Sequence, residues 1–450
     1  EDAPVTKLLS LQSTELLNEV GLRWRIPHSA RLVLFLDVIK EKFLVQDASL
    51  ETLDAAFLFV KEPPPEPTKK GKTTAAMQTQ INMLDRTRWT STDQSTWQKA
   101  LSALHDALLS ELFSAFVHCY GNKPPSIGSV LYVIDTHLYE DPLFTTTPEE
   151  LDGFTASLID ALRQKARDKY GEILSKNVPE QAEEWEFAHV IKLGSAVVAL
   201  CEKIQKRYRK NPEVMGANPL SILVEEILPS FAEDARALVS RVMEMSKTRG
   251  EEIPIQDGFD LYKELVQIRQ VHAQALPGRD FGFHIEGLLQ EFVWRWIAAT
   301  DSKMLDWIEG ALAQDDFKVR TMHEDNIPTD DERHSQSPID VFRIFNQSID
   351  QIVKLEWDDD LQYAKFMTAT GKSIGAGVAR YCELMERKFA AEMDRQTPEQ
   401  EAAAQRTQKE RWVAMARDAW NQREKVEPFQ FLPESLVKVN NVEYATIQLD

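Results

Sequence analysis

The sequence predicts an all-α fold, an elongated rod of stacked antiparallel helical bundles. Three observations support this prediction. Nearly every segment repeats its apolar residues at intervals of three and four, no run alternates with the period of two that a strand needs, and no hairpin turn signal occurs. Long helices of this kind bury their apolar stripes when antiparallel bundles stack end to end. The helical period therefore fixes the expected architecture.

Composition places the chain among folded proteins with substantial cores. It has 450 residues, 43% of them hydrophobic and 28% charged, and a formal net charge of −20. An acidic chain is repelled by nucleic acid and by anionic lipid, so we expect no nucleic-acid partner. The basic run KIQKRYRK at 203–210 is interpreted as a solvated helix face.

The sequence also indicates the cellular compartment of the protein. The cysteines Cys119, Cys201 and Cys382 are odd in number and far apart, which favours a reducing compartment over a disulfide framework or a zinc site. No apolar run approaches the roughly 18–20 residues that a membrane span needs. We expect no membrane insertion and a cytoplasmic location. Because the chain starts without Met and stops in mid-pattern, we also expect a piece of a longer protein.

The N-terminal segments predict helices around one linker. Residues 1–61 should form helices that turn at Pro27 and place Leu32, Phe35 and Ile39 on one side. Residues 62–75 are rich in proline and lysine and predict a mobile linker. Residues 76–250 predict a helical bundle.

Within this bundle, residues 97–120 form a long amphipathic helix, and a helix at 147–174 starts at Thr147 with Glu150 completing a capping box. Breaks are expected at Asn218-Pro219 and at Pro229.

The C-terminal segments predict further helices. Residues 251–313 should contain helices at 258–276 and 284–300, with Asp301 capping a new helix. Residues 314–337 form an acidic connector, and residues 338–450 a helical domain. Its first helix should start with Ser337 as the cap, Pro338 in the first position and Asp340 in the third. A very long helix from about 359 to 395 and a polar helix at 400–425 follow.

The stretch VFRIFNQSIDQIVKLEW at 341–357 raises a question about Asn346. It lies beside the apolar face formed by Phe342, Phe345 and Ile349. Asparagine costs up to about 0.7 kcal/mol relative to alanine inside a helix, and its amide needs partners if buried. Either Asn346 joins a polar network while Ile349 is core, or this face meets a partner.

The sequence contains no convincing catalytic, metal or cofactor pattern. TATGKSIGAG at 368–377 lacks the first glycine of a phosphate-binding loop, and Gly371 and Gly375 on one helix face predict close helix packing instead. Asp358, Asp359 and Asp360 lack the spacing of a magnesium motif and suit a helix N-terminus. The nine histidines form no ligand pair. We therefore expect no enzyme, no metal and no cofactor.

Three segments in order carry a family resemblance. HIEGLLQEFVWRWIAATDSKMLDWIEGALAQD, SPIDVFRIFNQSIDQIVKLEW and LVKVNNVEYATIQLD resemble successive parts of the MUN domain of the Munc-thirteen (Unc-thirteen) vesicle-priming family. The resemblance covers about 284–450, including the first Munc homology domain, and GLRWRIPHSARL looks like the start of the domain in fungal-type members. The chain would be the N-terminal half of the MUN domain.

This resemblance implies a rod akin to subunits of vesicle-tethering complexes. It implies a module that promotes SNARE assembly in exocytosis by helping syntaxin leave its closed state. It also implies peripheral association with plasma or vesicle membrane through flanking calcium- and lipid-binding modules. The implied partners are a syntaxin-type SNARE and its Sec/Munc chaperone.

The resemblance also implies a binding site. Asn346 matches the asparagine of the family's Asn-Gln-Ser-Phe motif, and Ile349 replaces its phenylalanine. Residues three apart share a helix face, so both could contact a partner helix. Two other functions stay open: a passive scaffold subunit of a tethering complex, and an all-α Mg²⁺-dependent enzyme built on the acidic clusters.

Overall fold

The computed structural model describes residues 10–61, 89–319, 333–393 and 432–449. Within these ranges the regular structure is helical, and the nearest approach to a strand is an isolated bridge between Val214 and Ala217. The all-α prediction is confirmed. In the described ranges the α-helices are α1 (Leu11–Arg23), α2 (His28–Leu44), α3 (Leu50–Lys61), α4 (Ser91–Phe116), α5 (Gly128–Val133), α6 (Pro148–Asn177), α7 (Phe187–Arg207), α8 (Pro219–Arg249), α9 (Ile255–Ala275), α10 (Ile285–Ala313), α11 (Gln336–Val353), α12 (Asp360–Met393) and α13 (Pro433–Ile447).

The chain forms two compact units. The first comprises the described residues of Glu1–Ala182, Lys192–Ala235 and Ile268–Phe281, and the second comprises the described residues of Glu183–Ile191, Arg236–Gln267 and Gly282–Asp450. The domain boundaries expected from the sequence stay predictions.

In the first unit, α2 packs against both α3 and α4. Trp97 of α4 is buried, and its indole N–H donates to Asp141 at 3.1 Å. The buried residues of α2 include Leu32, whereas Phe35 and Ile39 are only half-buried. The stripe expected on α2 is thus rotated toward Leu36.

Local capping chemistry determines where α6 begins. Thr147 accepts from the Glu150 N–H at 3.3 Å, and the Glu150 carboxylate accepts from the Thr147 N–H at 3.2 Å. The predicted capping box is confirmed. At the start of α8, the Asn218 side chain accepts from the N–H groups of Leu220 and Ser221 at 3.1 Å each, so the break at Asn218-Pro219 is also confirmed.

Two expected helix breaks are wrong. α8 runs through Pro229, and α10 runs through Asp301. Proline removes one helical hydrogen bond, and Asp301 offers an alternative cap. Leu228 and Phe231 around Pro229, and Ile297 and Met304 around Asp301, are buried. Tertiary packing therefore continues both helices where local signals favour an end.

The second unit buries one cluster shared by α10, α11, α12 and α13. Its members are Met304, Ile308, Leu312, Val341, Phe342, Phe345, Val378, Tyr381, Met385 and Ala445. The predicted packing at Gly371 and Gly375 is wrong, because a Cβ at either position would have nothing within 4 Å. The close approach is at Gly377, where a Cβ would lie 2.9 Å from Ile308 and 3.2 Å from Phe345.

Of two helix starts near this cluster, one differs from the sequence prediction and the other agrees with it. α11 begins at Gln336 with Ser335 before it, so the assignment of Ser337 as its cap is wrong. α12 begins at Asp360, and Asp359 accepts from the Gln362 N–H at 2.9 Å, which is the helix-terminal role expected for the acidic run.

Some expectations concern residues outside the described ranges. These are the linker at 62–75, the polar helix at 400–425 and the middle of the connector at 314–337. In the parts of the chain that the structure describes, no helix combines the length and apolarity needed to cross a bilayer.

Candidate functional site

A buried polar cluster holds the N-terminal end of α11. The backbone N–H of Ser335 donates to Asn441 Oδ1 at 2.9 Å, and Asn441 Nδ2 donates to Ser335 Oγ at 2.7 Å. Ser335 Oγ in turn donates to Asp315, which also accepts from the Ser337 N–H at 3.0 Å. Because Asn441 is fully buried and comes from α13, the cluster fixes α11 against a distant part of the sequence.

Tyr381 of α12 completes this cluster. Its hydroxyl lies 2.8 Å from Ser337 Oγ. Burial raises the pKa of Tyr381 well above its usual range, so the phenol stays protonated at neutral pH. Asn440, next to Asn441, donates to the Arg333 carbonyl at 2.8 Å. The Asn-Asn segment identified in the sequence is therefore structural in this unit.

The inward face of α11 follows the helical period. Val341, Phe345 and Ile352 are buried, and Ser348 donates to the Ile344 carbonyl at 2.9 Å within the same helix. The Phe342 and Phe345 rings meet edge-on with centroids 5.3 Å apart. This face orients α11 and decides which side chains reach the surface.

The structure brings Asn346 and Ile349 to one flank of α11. Asn346 is exposed and Ile349 is half-buried. Val353, seven residues after Asn346, is 46% exposed on the same flank. We call Asn346, Ile349 and Val353 the α11 strip. Among the described residues, no side chain or backbone group forms a hydrogen bond with the Asn346 amide.

The alternative structural roles of these two residues find little support. Asn346 does not take part in a polar network of the described residues, and Ile349 lies outside the fully buried cluster of this unit. The strip therefore offers an amide and apolar surface to solvent. The role of Asn346 and Ile349 in binding a partner stays a prediction.

The charges on the outermost ridge of α11 compensate each other. Arg343 lies 3.2 Å from Asp340, and Lys354 lies 3.9 Å from Asp350. Exposed pairs of this kind contribute little to stability. They leave the strip electrostatically neutral, so apolar contact and amide hydrogen bonds are what it can supply.

A groove on the opposite flank of α11 was not anticipated from the sequence. It has a cavity volume of about 320 Å³ and is lined by Trp296, Thr300, Trp307, Ile344, Gln347, Ser348 and Gln351. Trp307 is 41% exposed, and none of the lining residues is charged. Tryptophan is enriched at the centres of protein interfaces. The signal in the sequence is the spacing of eleven between Trp296 and Trp307, three turns apart on one side of α10.

Two known families match this chain. The MUN domain matches residues 158–429, more than half of the chain, and this range contains all of α11. The third TPR-like domain of the adenylate cyclase activation protein git1 matches residues 3–63 and 70–147. The sequence had given no indication of this second match.

Two curated relatives come from fungi, and each is described as an uncharacterized protein. One from Saccharomyces cerevisiae is 22% identical over 311 residues, which cover 67% of this chain and 23% of the relative. Another from Schizosaccharomyces pombe is 22% identical over 438 residues, which cover 96% of this chain and 33% of the relative. The chain thus spans about a quarter to a third of the length of the curated relatives it matches.

Proposed function

Because this chain belongs to the MUN domain family, we propose that it is a non-enzymatic module of vesicle priming in exocytosis. We further propose that α11 binds a helical segment of a syntaxin-type SNARE and thereby promotes SNARE assembly. A Sec/Munc chaperone and peripheral attachment to the target membrane belong to the same proposal.

One observation supports the binding site above all others. Asn346, which matches the asparagine of the family motif, and Ile349, which stands at the position of its phenylalanine, lie together on the surface flank of α11. A side chain that lowers helix stability yet meets no partner within the described chain is better explained by binding than by folding. The strip therefore carries the proposal.

The chemistry of the strip suits a helix as the partner. An amide can donate to and accept from polar side chains, and Ile349 with Val353 continues the contact for two further turns. Helix-in-groove recognition uses anchors at this spacing. The isoleucine at the position of the family's phenylalanine offers less contact area, so we expect a weaker anchor than the family motif implies.

The test is a titration with the fluorescently labelled cytosolic region of a syntaxin. The Asn346→Ala/Ile349→Ala variant should bind about tenfold more weakly, the loss expected for a modest hot spot. A matched control is Gln347→Ala/Gln351→Ala, which removes two amides from the opposite flank of the same helix. It should leave the affinity unchanged.

The two variants separate the possible outcomes. Equal affinity of the strip variant and the wild type, with circular dichroism unchanged, would place the contact elsewhere. Loss of binding in the control alone would transfer the site to the Trp296–Trp307 groove. Absence of binding by the wild-type chain would favour a passive scaffold subunit.

A further inference from the structure

A basic segment ends α7 in the first unit. From Lys203 to Val214 the sequence has five lysines and arginines and one carboxylate, Glu213, although the whole chain carries −20. Cations in a last helical turn complement the helix dipole, which accounts for part of this charge. Arg209 and Lys210 lie beyond the end of α7, are exposed and pair with no carboxylate of the described residues.

A cleft of about 360 Å³ opens beside this segment. Arg207 and Lys210 supply two cations to its lining, and Ser126, Tyr208 and Asn211 supply hydroxyl and amide groups. Its apolar wall consists of proline, isoleucine, leucine and valine side chains, and no carboxylate is among the lining residues. Burial raises the pKa of Tyr208 to about 12, so its hydroxyl remains a donor at neutral pH.

Side chains of α7 bind the segment that immediately precedes one wall of this cleft. The Arg207 guanidinium donates to the carbonyl oxygens of Cys119, Gly121 and Asn122. Lys203 Nζ donates to Asn122 Oδ1 at 2.9 Å. The acceptors that Arg207 binds are therefore neutral carbonyls rather than carboxylates. A cleft that is preorganised loses less conformational entropy when it binds a ligand.

We propose that this cleft binds the phosphorylated headgroup of an anionic phospholipid at a bilayer surface. Cations together with neutral donors, and no carboxylate, are the groups that phosphate oxygens require. The exposed charge of Arg209 lies outside the cleft, so a flat anionic surface can meet a further cation that a small soluble phosphate in the cleft would not reach. The choice of a lipid over a free phosphate compound rests on the proposed function at membranes.

The experiment is flotation of the whole chain with vesicles. The vesicles contain phosphatidylcholine alone, phosphatidylcholine with phosphatidylinositol bisphosphate, or phosphatidylcholine with phosphatidylserine at matched total charge. We expect wild-type protein to float with both anionic preparations, and best with the phosphoinositide. Flotation no greater than with phosphatidylcholine alone would overturn the proposal.

Two charge variants distinguish the effect of the local basic segment on vesicle binding from the effect of net charge. Arg209→Gln/Lys210→Gln should lower partitioning about 25-fold, on a scale of roughly fivefold for each cation near an anionic surface. The control Lys365→Gln/Lys372→Gln removes the same charge from exposed positions on α12 in the second unit and should have little effect. Equal losses in both variants would overturn the proposal, because net charge would then explain them.

A third variant tests the cleft itself. Ser126→Ala/Asn211→Ala removes neutral donors and should abolish the preference for phosphoinositide over phosphatidylserine at equal charge. Inositol trisphosphate should compete with phosphoinositide vesicles for the wild-type protein. An unchanged preference, or no competition, would overturn the assignment to the cleft.

The syntaxin titration without vesicles keeps the two proposals separate. Binding to syntaxin without binding to vesicles would disprove only the lipid site. Binding to vesicles without binding to syntaxin would disprove only the proposed SNARE role.

Discussion

Asn441 and Asn346 both belong to segments that carry the family resemblance, but they differ in burial and in hydrogen bonding. Asn441 is fully buried and exchanges two hydrogen bonds with Ser335 at 2.9 and 2.7 Å. Asn346 is exposed, and its side-chain amide forms no hydrogen bond with a described residue. The same amide stabilises the fold in one region and remains open to a partner in the other.

This difference shows how a motif residue is assigned to folding or to binding. A buried amide must be paired, so loss of the Asn441 side chain leaves the Ser335 backbone N–H without its acceptor inside the protein. An exposed amide is hydrogen-bonded to water in both the folded and the unfolded chain, so it contributes little to the free energy of folding. Burial and partners, rather than membership of a motif, separate the two regions.

The largest effect should come from the inward face of the same helix. Phe345→Ala removes a ring that is 2% exposed and should lower the free energy of unfolding by about 3–5 kcal/mol. Urea denaturation followed by circular dichroism measures this change. The neighbouring exposed Gln347→Ala serves as control and should stay within about 0.5 kcal/mol of the wild type. A small loss at Phe345 would contradict the packing of α11.

The next effect tests the buried side of the comparison. Asn441→Ala should cost about 2–3 kcal/mol, because in a buried site the Ser335 N–H loses its acceptor and the Ser335 hydroxyl loses the N–H that donates to it. Asn440→Ala is the matched control, since it removes a single exposed hydrogen bond to the Arg333 carbonyl. Both are measured by urea denaturation. Equal stability of the two variants would show that the polar cluster does not hold α11.

Two glycines on α12 test its close approach to α10 and α11. Gly377→Ala places a methyl group against Ile308 and Phe345 and should cost about 1–3 kcal/mol. Gly375→Ala meets nothing within 4 Å and should gain up to about 1 kcal/mol from helix propensity. The difference in thermal midpoint between the two variants checks the prediction, and the reverse order would contradict it.

The smallest effect concerns the strip. Asn346→Ala should raise the free energy of unfolding by up to about 0.7 kcal/mol, because alanine favours an exposed helix and no hydrogen bond to the described chain is lost. A urea titration beside the wild type gives the sign. Destabilisation by more than about 1 kcal/mol would mean that the Asn346 amide is engaged in the fold, and the comparison with Asn441 would fail.

Much of the local structure could be predicted from residues alone. Thr147 and Glu150 form the expected box, Asn218-Pro219 starts α8, and the stretch around Phe342 and Phe345 is helical. These features depend on residues within four positions of each other. Their energies are therefore readable from the chain.

The candidate site was predicted only in part. The spacing of Asn346 and Ile349 predicts a shared flank, and the structure has both residues at the surface of α11. The Trp296–Trp307 groove on the other flank was missed, because it requires α10 and α11 to lie side by side. Their pairing depends on contacts across tens of residues.

The sequence by itself determined that this protein is all-α, where most of its helices lie and which asparagine merits attention. These properties follow from the 3.6-residue period and from capping chemistry, which act over single turns. Tertiary structure alone decided that α8 continues through Pro229, that Gly377 rather than Gly371 or Gly375 meets another helix, and that Asn441 is buried while Asn346 is not. Each of these depends on which helices become neighbours, and that choice is made by summed burial over the whole unit rather than by any local preference.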